Sequence, residues 1–486
     1  MKMKRVVSAV LAGAVMLSLG GCKDKQTAKG EDTMNEEYEI IWYIPGKFGT
    51  DLGMVNEKVN EYVKEKINAT VKLEAVDWGN YDTKVNNSLN AGEKIDIAWF
   101  NANTYIQKAC EGTATDITEL SKKYAPKTME ELGETFLKGC YYSGKLYGIP
   151  ANKDKAHDYI FVYRKDIADK YNMDLSGVTC FEDLFPFFET VKQNEKNMYA
   201  FGIGDSGTPM NLQNICEIGS SLVCFTDEEE DKLFVPCETS EFKRTAEQSK
   251  RLHDLGYIHP DVSIKENLTE LRNNGQVFGW LSQGHSGTLE EIQIKSAYPL
   301  AAVSVSDVIM DARDALGSVM YIPFTCENPV RTMKFLELFN TDKYLNNLIN
   351  FGIEGIHYEK TGEDTIKSLD KVKDYNFIGS QWVLGNTFIN YVFDGYNPKK
   401  KEMLKEFNDA AKPSKYYGFM FNTEEVEAEV TACQSIVGEY WKRFAYGTCN
   451  IDTELAVYKE KLKKAGIDKV LECAQKQYDE WKKISK

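Results

Sequence analysis

The sequence predicts an α/β protein of two lobes finished by a helical extension. Three observations predict it. Apolar residues alternate at period two and then at about 3.6, repeatedly, from Glu37 to Phe100. The same pattern restarts beyond Pro150, and over about the last 85 residues nearly every apolar position fits a helix. With 486 residues, 42% of them apolar, the chain can bury two hydrophobic cores. Charged residues at 27%, with 35 Gly and 12 Pro, exclude a disordered or fibrous chain.

The elements follow in order. Tyr38 to Ile44 reads as a strand with Ile40, Trp42 and Ile44 on one face, and Trp42 is expected in the core. Met54 to Ile67 is a helix with Val55, Val59 and Val63 on its stripe. Thr70 to Val76 is a strand, Tyr81 to Asn90 a short helix ended by Ala91-Gly92, and Ile95 to Phe100 a third strand. Such β and α units imply a parallel sheet whose post-strand loops share one edge, where open α/β sheets bind ligands. Those loops are Pro45 to Gly53, Asp77 to Asn80 and Asn101 to Tyr105. The second unit reads as strands at 159–163, 198–203, 276–281, 300–305 and 318–323, with helices at 165–171, 181–194, 211–225, 242–255, 267–274 and 329–339. Helices at 424–444, 453–464 (ended by Gly466) and 467–483 close the chain, and Trp441 and Trp481 on them read as packing residues.

The N-terminus carries export logic. Lys2, Lys4 and Arg5 precede an uncharged stretch from Val6 to Leu19, too short for a membrane span of about 20 residues. Leu19-Gly20-Gly21-Cys22 resembles the bacterial lipobox, which implies a signal peptide over 1–21 and a lipidated Cys22. Two acyl chains on that residue give stable anchoring. Residues 22–35 read as a flexible tether. The formal charge is −15, and the leader contains no acid, so the exported body is more acidic still. Such a body repels phosphate backbones, and no nucleic-acid partner is expected. The ten remaining cysteines show no C-x-x-C and no tight framework; mostly free, buried thiols are expected.

Catalytic and cofactor patterns are weak. Gly202-Ile203-Gly204-Asp205-Ser206-Gly207 fits G-x-G-x-x-G, but Thr208-Pro209 follows where a phosphate-holding helix should begin. There is no P-loop and no H-E-x-x-H, and the five histidines lack zinc spacing, so no cofactor and no metal are expected. Gly284-His285-Ser286-Gly287 is one residue short of a nucleophile elbow. With 74 acids, no glycosidase-like pair is nominated.

The order of motifs is more informative. Ala91-Gly92-Glu93-Lys94-Ile95-Asp96 precedes the third strand; Gly144-Lys145-Leu146-Tyr147-Gly148-Ile149-Pro150 precedes the crossover; Tyr163-Arg164-Lys165-Asp166 follows it. Together with the lipobox, this order resembles the extracellular solute-binding proteins of family 1, the maltose-binding-protein-like receptors of ABC importers. Phe351-Gly352-Ile353-Glu354-Gly355-Ile356-His357-Tyr358 and the tail from Tyr416 to Trp481 resemble the LipO-like lipoprotein branch, whose C-terminal domain has no known function. The resemblance covers essentially the whole chain. It implies a two-lobed periplasmic-binding-protein-like fold with a helical C-terminal extension. The first lobe is 36–150 with a return segment near 316–361, the second is 151–315 with 362–415, and the helical region is 416–486. It also implies a monomeric receptor, anchored on the extracellular face of the bacterial cytoplasmic membrane, that passes a solute to permease subunits. No bond is broken; closure of the lobes on the ligand is the mechanism.

Sugar rings stack on aromatic side chains, and their hydroxyls take planar polar groups. Twelve per cent of the chain is aromatic. Trp78 directly follows the second strand, and Trp99, Phe100, Asn101 and Asn103 end the third, matching the family's first-lobe ligand loop. The resemblance adds Asp154 after the first crossover, Trp280 as a second-lobe stacking ring facing Trp78, and Trp382 as a further lining residue. An oligosaccharide is the favoured ligand, with another small polar solute next. The alternative from another class is a surface lipoprotein enzyme such as a glycoside hydrolase.

Overall fold

The computed structural model describes residues 34–203, 207–218, 221–262, 268–375 and 381–484; Cys22 and the leader lie outside them. Strand β1 (Tyr38–Pro45) pairs in parallel with β2 (Ala69–Val76), Tyr38 opposite Ala69 and Pro45 opposite Val76. Between them α1 (Leu52–Ile67) buries Val55, Val59 and Val63 and ends at Asn68, whose left-handed backbone turns the chain into β2. After α2 (Tyr81–Asn90), β3 (Ala98–Phe100) extends the sheet on the other side of β1, through the parallel bridge Trp42–Ile97. The sheet continues antiparallel with Val319–Tyr321 and then Ile149–Pro150, so the chain returns to this lobe after leaving it. Trp42 is fully buried, edge-on to Phe335 and Phe339 of the helix Pro329–Thr341.

The second lobe holds a four-stranded sheet in the order Leu300–Ser304, Asp158–Arg164, Val277–Gly284, Tyr199–Gly202. It is mixed: Val277–Gly284 runs parallel to Tyr199–Gly202 and antiparallel to Asp158–Arg164. One face packs Phe161, Phe201, Phe278 and Leu281 into a large core. The other carries the small cluster of Val162, Val277, Trp280 and Leu300.

Two differences between the sequence expectation and the structure change the fold description. The helix expected over 211–225 is instead a single 3-10 turn, Pro209–Leu212, followed by antiparallel strands Ile215–Ile218 and Val223–Thr226. Short apolar runs rich in Ile, Val and Cys suit a buried strand as well as a helix, and Gly219-Ser220-Ser221 divides this one. The sequence reading places residues 362–415 in the second lobe. Yet Tyr375, Val383 and Leu384 are buried in the first core, and Phe407 packs against it.

The three crossings between the lobes lie side by side. His157 bridges Ile309 antiparallel, and Ile309–Met310 pairs in parallel with Lys412–Pro413. Beyond this ribbon, residues 416–421 act as a strap with alternating allegiance. Tyr416, Phe419 and Phe421 enter the second core, Tyr416 stacked 3.6 Å from Phe225. Tyr417 and Met420 belong to the first core, and the Tyr417 hydroxyl donates to the Phe136 carbonyl at 2.8 Å. Gly139 is needed for this approach, since a Cβ there would stand 2.4 Å from Tyr417 Cζ. The helices Glu427–Ala445, Ile451–Lys464 and Ile467–Ile484 then extend the second core, with Phe444 5.2 Å from Phe242. Among the described residues no helix is long and apolar enough to cross a membrane, and all ten cysteines from Cys110 to Cys473 are free thiols.

Candidate functional site

The loop edge of the first sheet carries an exposed aromatic pair. Trp78 sits in the 3-10 turn after β2, where the Asp77 side chain accepts a hydrogen bond from Gly79 N–H at 3.1 Å. Lys47, 2.7 Å from Asp77, together with that N–H, holds the Asp77 carboxyl below the usual range. Trp78 stacks nearly parallel on Trp382, with centroids 5.8 Å apart and planes at 10°. The two rings remain 44% and 41% exposed, unusual for residues that normally bury most of their surface.

Trp99 buttresses this pair. It stands edge-on to Trp78 at 5.2 Å and is nearly buried. Its Nε1–H donates to Ser318 Oγ at 2.8 Å, and that hydroxyl donates to the Val383 carbonyl at 2.7 Å. One chain of contacts thereby joins the end of β3, the returning strand and the residue after Trp382. Tyr81 anchors the other side: its hydroxyl accepts from Trp99 N–H at 2.7 Å and donates to the Tyr43 carbonyl.

The remaining expected site residues fall elsewhere. Phe100 is a core residue, stacked 4.6 Å from Tyr321. Asn101 caps the next helix, α3 (Ala102–Cys110), by accepting from Asn103 N–H at 3.0 Å, and Asn103 itself is exposed on the first turn. Asp154 lies on the first crossing, 3.0 Å from Lys153. Trp280 does not face Trp78. Its strand runs on to Gly284, so the ring sits mid-strand, 3% exposed, beneath the Arg272 guanidinium at 4.7 Å. The partner of Trp78 is Trp382.

The second-lobe edge next to the hinge is polar. It gathers the start of Asp158–Arg164 and the ends of Val277–Gly284 and Leu300–Ser304. There Ser304 Oγ donates to Asp158 at 2.9 Å, and burial pushes the Asp158 carboxyl up. His285 is delivered to this edge as the strand ends; its N–H donates to Thr288 Oγ1 at 2.8 Å. The sequence reading ends this strand at Leu281, three residues too early, so His285 carries no signal there as a site residue.

A cavity of about 400 Å³ lies where the lobes and the tail meet. Asn103 and Gln107 of α3, Glu217 and Ser221 of the second lobe, Arg313 of the second crossing and residues 419–424 border it. Arg313 pairs with Glu217 at 3.0 Å and with Asp311 at 3.1 Å. Asp314 accepts Asp311 N–H and holds His157 at 2.8 Å. Asp311 and Asp314 are engaged in structure, whereas Glu217 receives both Arg313 and Ser221 on Oε2. Among the described residues no group of three or more His, Cys, Asp or Glu could hold a metal ion.

A two-lobed α/β molecule with crossings in a ribbon and exposed rings at a lobe edge is the architecture of a solute receptor. The family model of the bacterial extracellular solute-binding proteins matches residues 57–352, more than half of the chain, and the chain belongs to that family. A domain of unknown function, DUF3502, matches 415–483. A carbohydrate ABC transporter substrate-binding protein of Streptococcus pneumoniae is 28% identical over 99% of this chain and 97% of its own. The crystal structure of the N-glycan transport solute binding protein NgtS from Streptococcus pneumoniae is 27% identical and has a TM-score of 0.82, over 92% of this chain and 100% of that one. Its complex with Man1GlcNAc is 26% identical, with a TM-score of 0.72 over 91% and 99% of the two chains. Its complex with Man5GlcNAc is also 26% identical, with a TM-score of 0.71 over 92% and 99%.

Proposed function

We propose that this protein captures a neutral oligosaccharide, in the chemical range of mannose-containing N-glycans, and presents it to the permease of an ABC importer without cleaving it. The observation that carries the reading is the Trp78–Trp382 pair, exposed, parallel and buttressed by Trp99. Exposed indoles held in place by a hydrogen-bonded frame offer apolar faces to sugar rings at little entropic cost on binding. The relatives support the same class of ligand: one is a carbohydrate receptor, and NgtS is described with Man1GlcNAc and Man5GlcNAc.

Capture proceeds by closure of one lobe over the other about the ribbon of His157, Ile309–Met310 and Lys412–Pro413. The three values for NgtS support this. At almost the same identity the TM-score falls from 0.82 to 0.72 and 0.71 in the sugar complexes, so one relative takes different arrangements, and this chain matches the first better. The lobes are 36–150 and 151–315, with 316–361 and the core residues up to Leu384 returned to the first. Lipidation at Cys22 holds the receptor at the outer face of the cytoplasmic membrane. Calorimetric titration of the mature chain with Man5GlcNAc and a panel of neutral and acidic oligosaccharides tests the reading. Saturable binding with unchanged sugar recovered afterwards supports it. Cleavage products would make the protein a glycoside hydrolase, and no binding across the panel would end the carbohydrate reading.

A further inference from the structure

We infer that the C-terminal helical region forms part of the ligand site, and that the cavity it walls takes a distal, neutral arm of the oligosaccharide. This rests on the oligosaccharide reading above. The first observation is convergence. Each body that meets at the cavity contributes polar side chains: Asn103 and Gln107 from the first lobe, Glu217 from the second, Asn422 and Glu424 from the tail. Planar amides and carboxylates are the groups that bind sugar hydroxyls. Its volume of about 400 Å³ falls in the range of small-ligand sites, about 300–1,000 Å³.

The second observation is placement. Asn103 lies four residues beyond Trp99, so the cavity wall and the buttress of the tryptophan pair are at most about 14 Å apart. A short oligosaccharide covers that reach. A ligand resting on Trp78 and Trp382 and entering the cavity would touch both lobes and the tail together.

The third observation is rigidity. Asn422 N–H donates to Gln477 Oε1 at 2.9 Å, and Gln477 Nε2 donates back to the Asn422 carbonyl at 2.8 Å. Its side chain accepts from Glu424 N–H at 3.0 Å and donates to Cys110 Sγ at 3.3 Å. The tail wall is thus fixed before any ligand arrives, which lowers the ordering cost of binding. Charge defines the class of arm. Glu217 is paired with Arg313, whereas Glu111, Glu424 and Glu427 carry no ion pair among the described residues. The cavity is net acidic, so it accepts donated hydroxyls and repels uronic or sialic acids.

The test compares Man1GlcNAc with Man5GlcNAc by calorimetry on the full mature chain. The exposed residues Glu424 and Glu427 are replaced together (E424A/E427A). We expect Man5GlcNAc to bind about tenfold more weakly, Man1GlcNAc to change less than about twofold, and melting to stay unchanged. Trp382→Ala should weaken both sugars. If E424A/E427A binds Man5GlcNAc like the parent, or weakens both sugars equally, the tail is not a subsite and the inference fails. If the parent binds neither sugar nor any of the neutral panel, the oligosaccharide reading itself fails first. A second variant, Gln107→Ala on the opposite wall, should reproduce the selective loss; binding of Man5GlcNAc at parental strength would count against the cavity.

Discussion

Replacing Trp382 with alanine separates a binding ring from a packing ring. A tryptophan offers up to about 250 Å² of surface, and Trp382 leaves 41% of its own open, so about 100 Å² is available to a ligand. At about 25 cal/mol per Å², full coverage by a sugar is worth about 2.5 kcal/mol, and coverage of half that area about 1.2 kcal/mol. The expected loss on Trp382→Ala is therefore about eight- to seventyfold in Kd. The unliganded protein loses the offset stack on Trp78, about 0.5–1.5 kcal/mol, plus part of its remaining burial, a modest fall in Tm. Trp382→Phe should recover much of the affinity, since a smaller face remains. The assay is paired: titration with Man5GlcNAc and melting without sugar. If Trp382→Ala binds like the parent, or loses stability by several kcal/mol with affinity intact, the platform is a core feature and the assignment is wrong.

Other expectations follow from the same structure. Trp42→Ala should do the reverse: it empties a fully buried site against Phe335 and Phe339, costing about 3–5 kcal/mol of stability, read by denaturant unfolding, with binding of the folded fraction unchanged. Cys22→Ala should move the protein from the membrane fraction to the soluble one; retention at parental level would refute lipid anchoring there. The scattering radius of gyration should fall at saturating sugar, and an unchanged radius with demonstrated binding would refute closure. Burial pushes the His157 imidazole down, but the hydrogen bond and charge of Asp314 outweigh it, so its pKa is raised. Its stabilising contribution is then complete below the unfolded value near 6.5 and is lost as pH rises through the higher folded value; His157→Gln should flatten that part of the stability–pH curve.

Much of the first lobe was legible because its signals are local. Alternation in β1 and β2 and the stripe of α1 need no distant contact, and Trp78 was found by counting to the end of a strand. The same count failed for Trp280, because Leu281-Ser282-Gln283 continues the strand and carries the true edge to Gly284 and His285. Nothing local marks where a strand ends when the following residues remain compatible with it. Trp382 is expected as a lining residue, but its stacking on Trp78 depends on residues 304 positions apart in the chain and on the Trp99–Ser318–Val383 chain of hydrogen bonds. The return of Tyr375, Val383 and Leu384 to the first core was missed for the same reason: core membership is a long-range property.

The proposed closure requires lobes that are weakly held relative to each other, and the ion pairs between them are of that kind. Between the helix Lys400–Ala410 and the second lobe one link is the Lys400–Glu291 pair at 2.5 Å, with side chains 25% and 37% exposed. At the cavity it is Arg313 with Glu217, the arginine half exposed. Exposed pairs of this kind contribute about 0–1 kcal/mol each. A few kcal/mol of differential contact from a bound oligosaccharide therefore suffices to shift the population of arrangements. The strap imposes the direction. Because Tyr416 and Phe419 are fixed in one core while Tyr417 and Met420 are fixed in the other, lobe separation at this point would expose buried apolar surface from both. Rotation about the strap and the neighbouring ribbon keeps that surface covered. On the proposed closure the tail would lie on the axis of motion and on the wall of the cavity at once, so an oligosaccharide arm in that cavity would act directly on the strap.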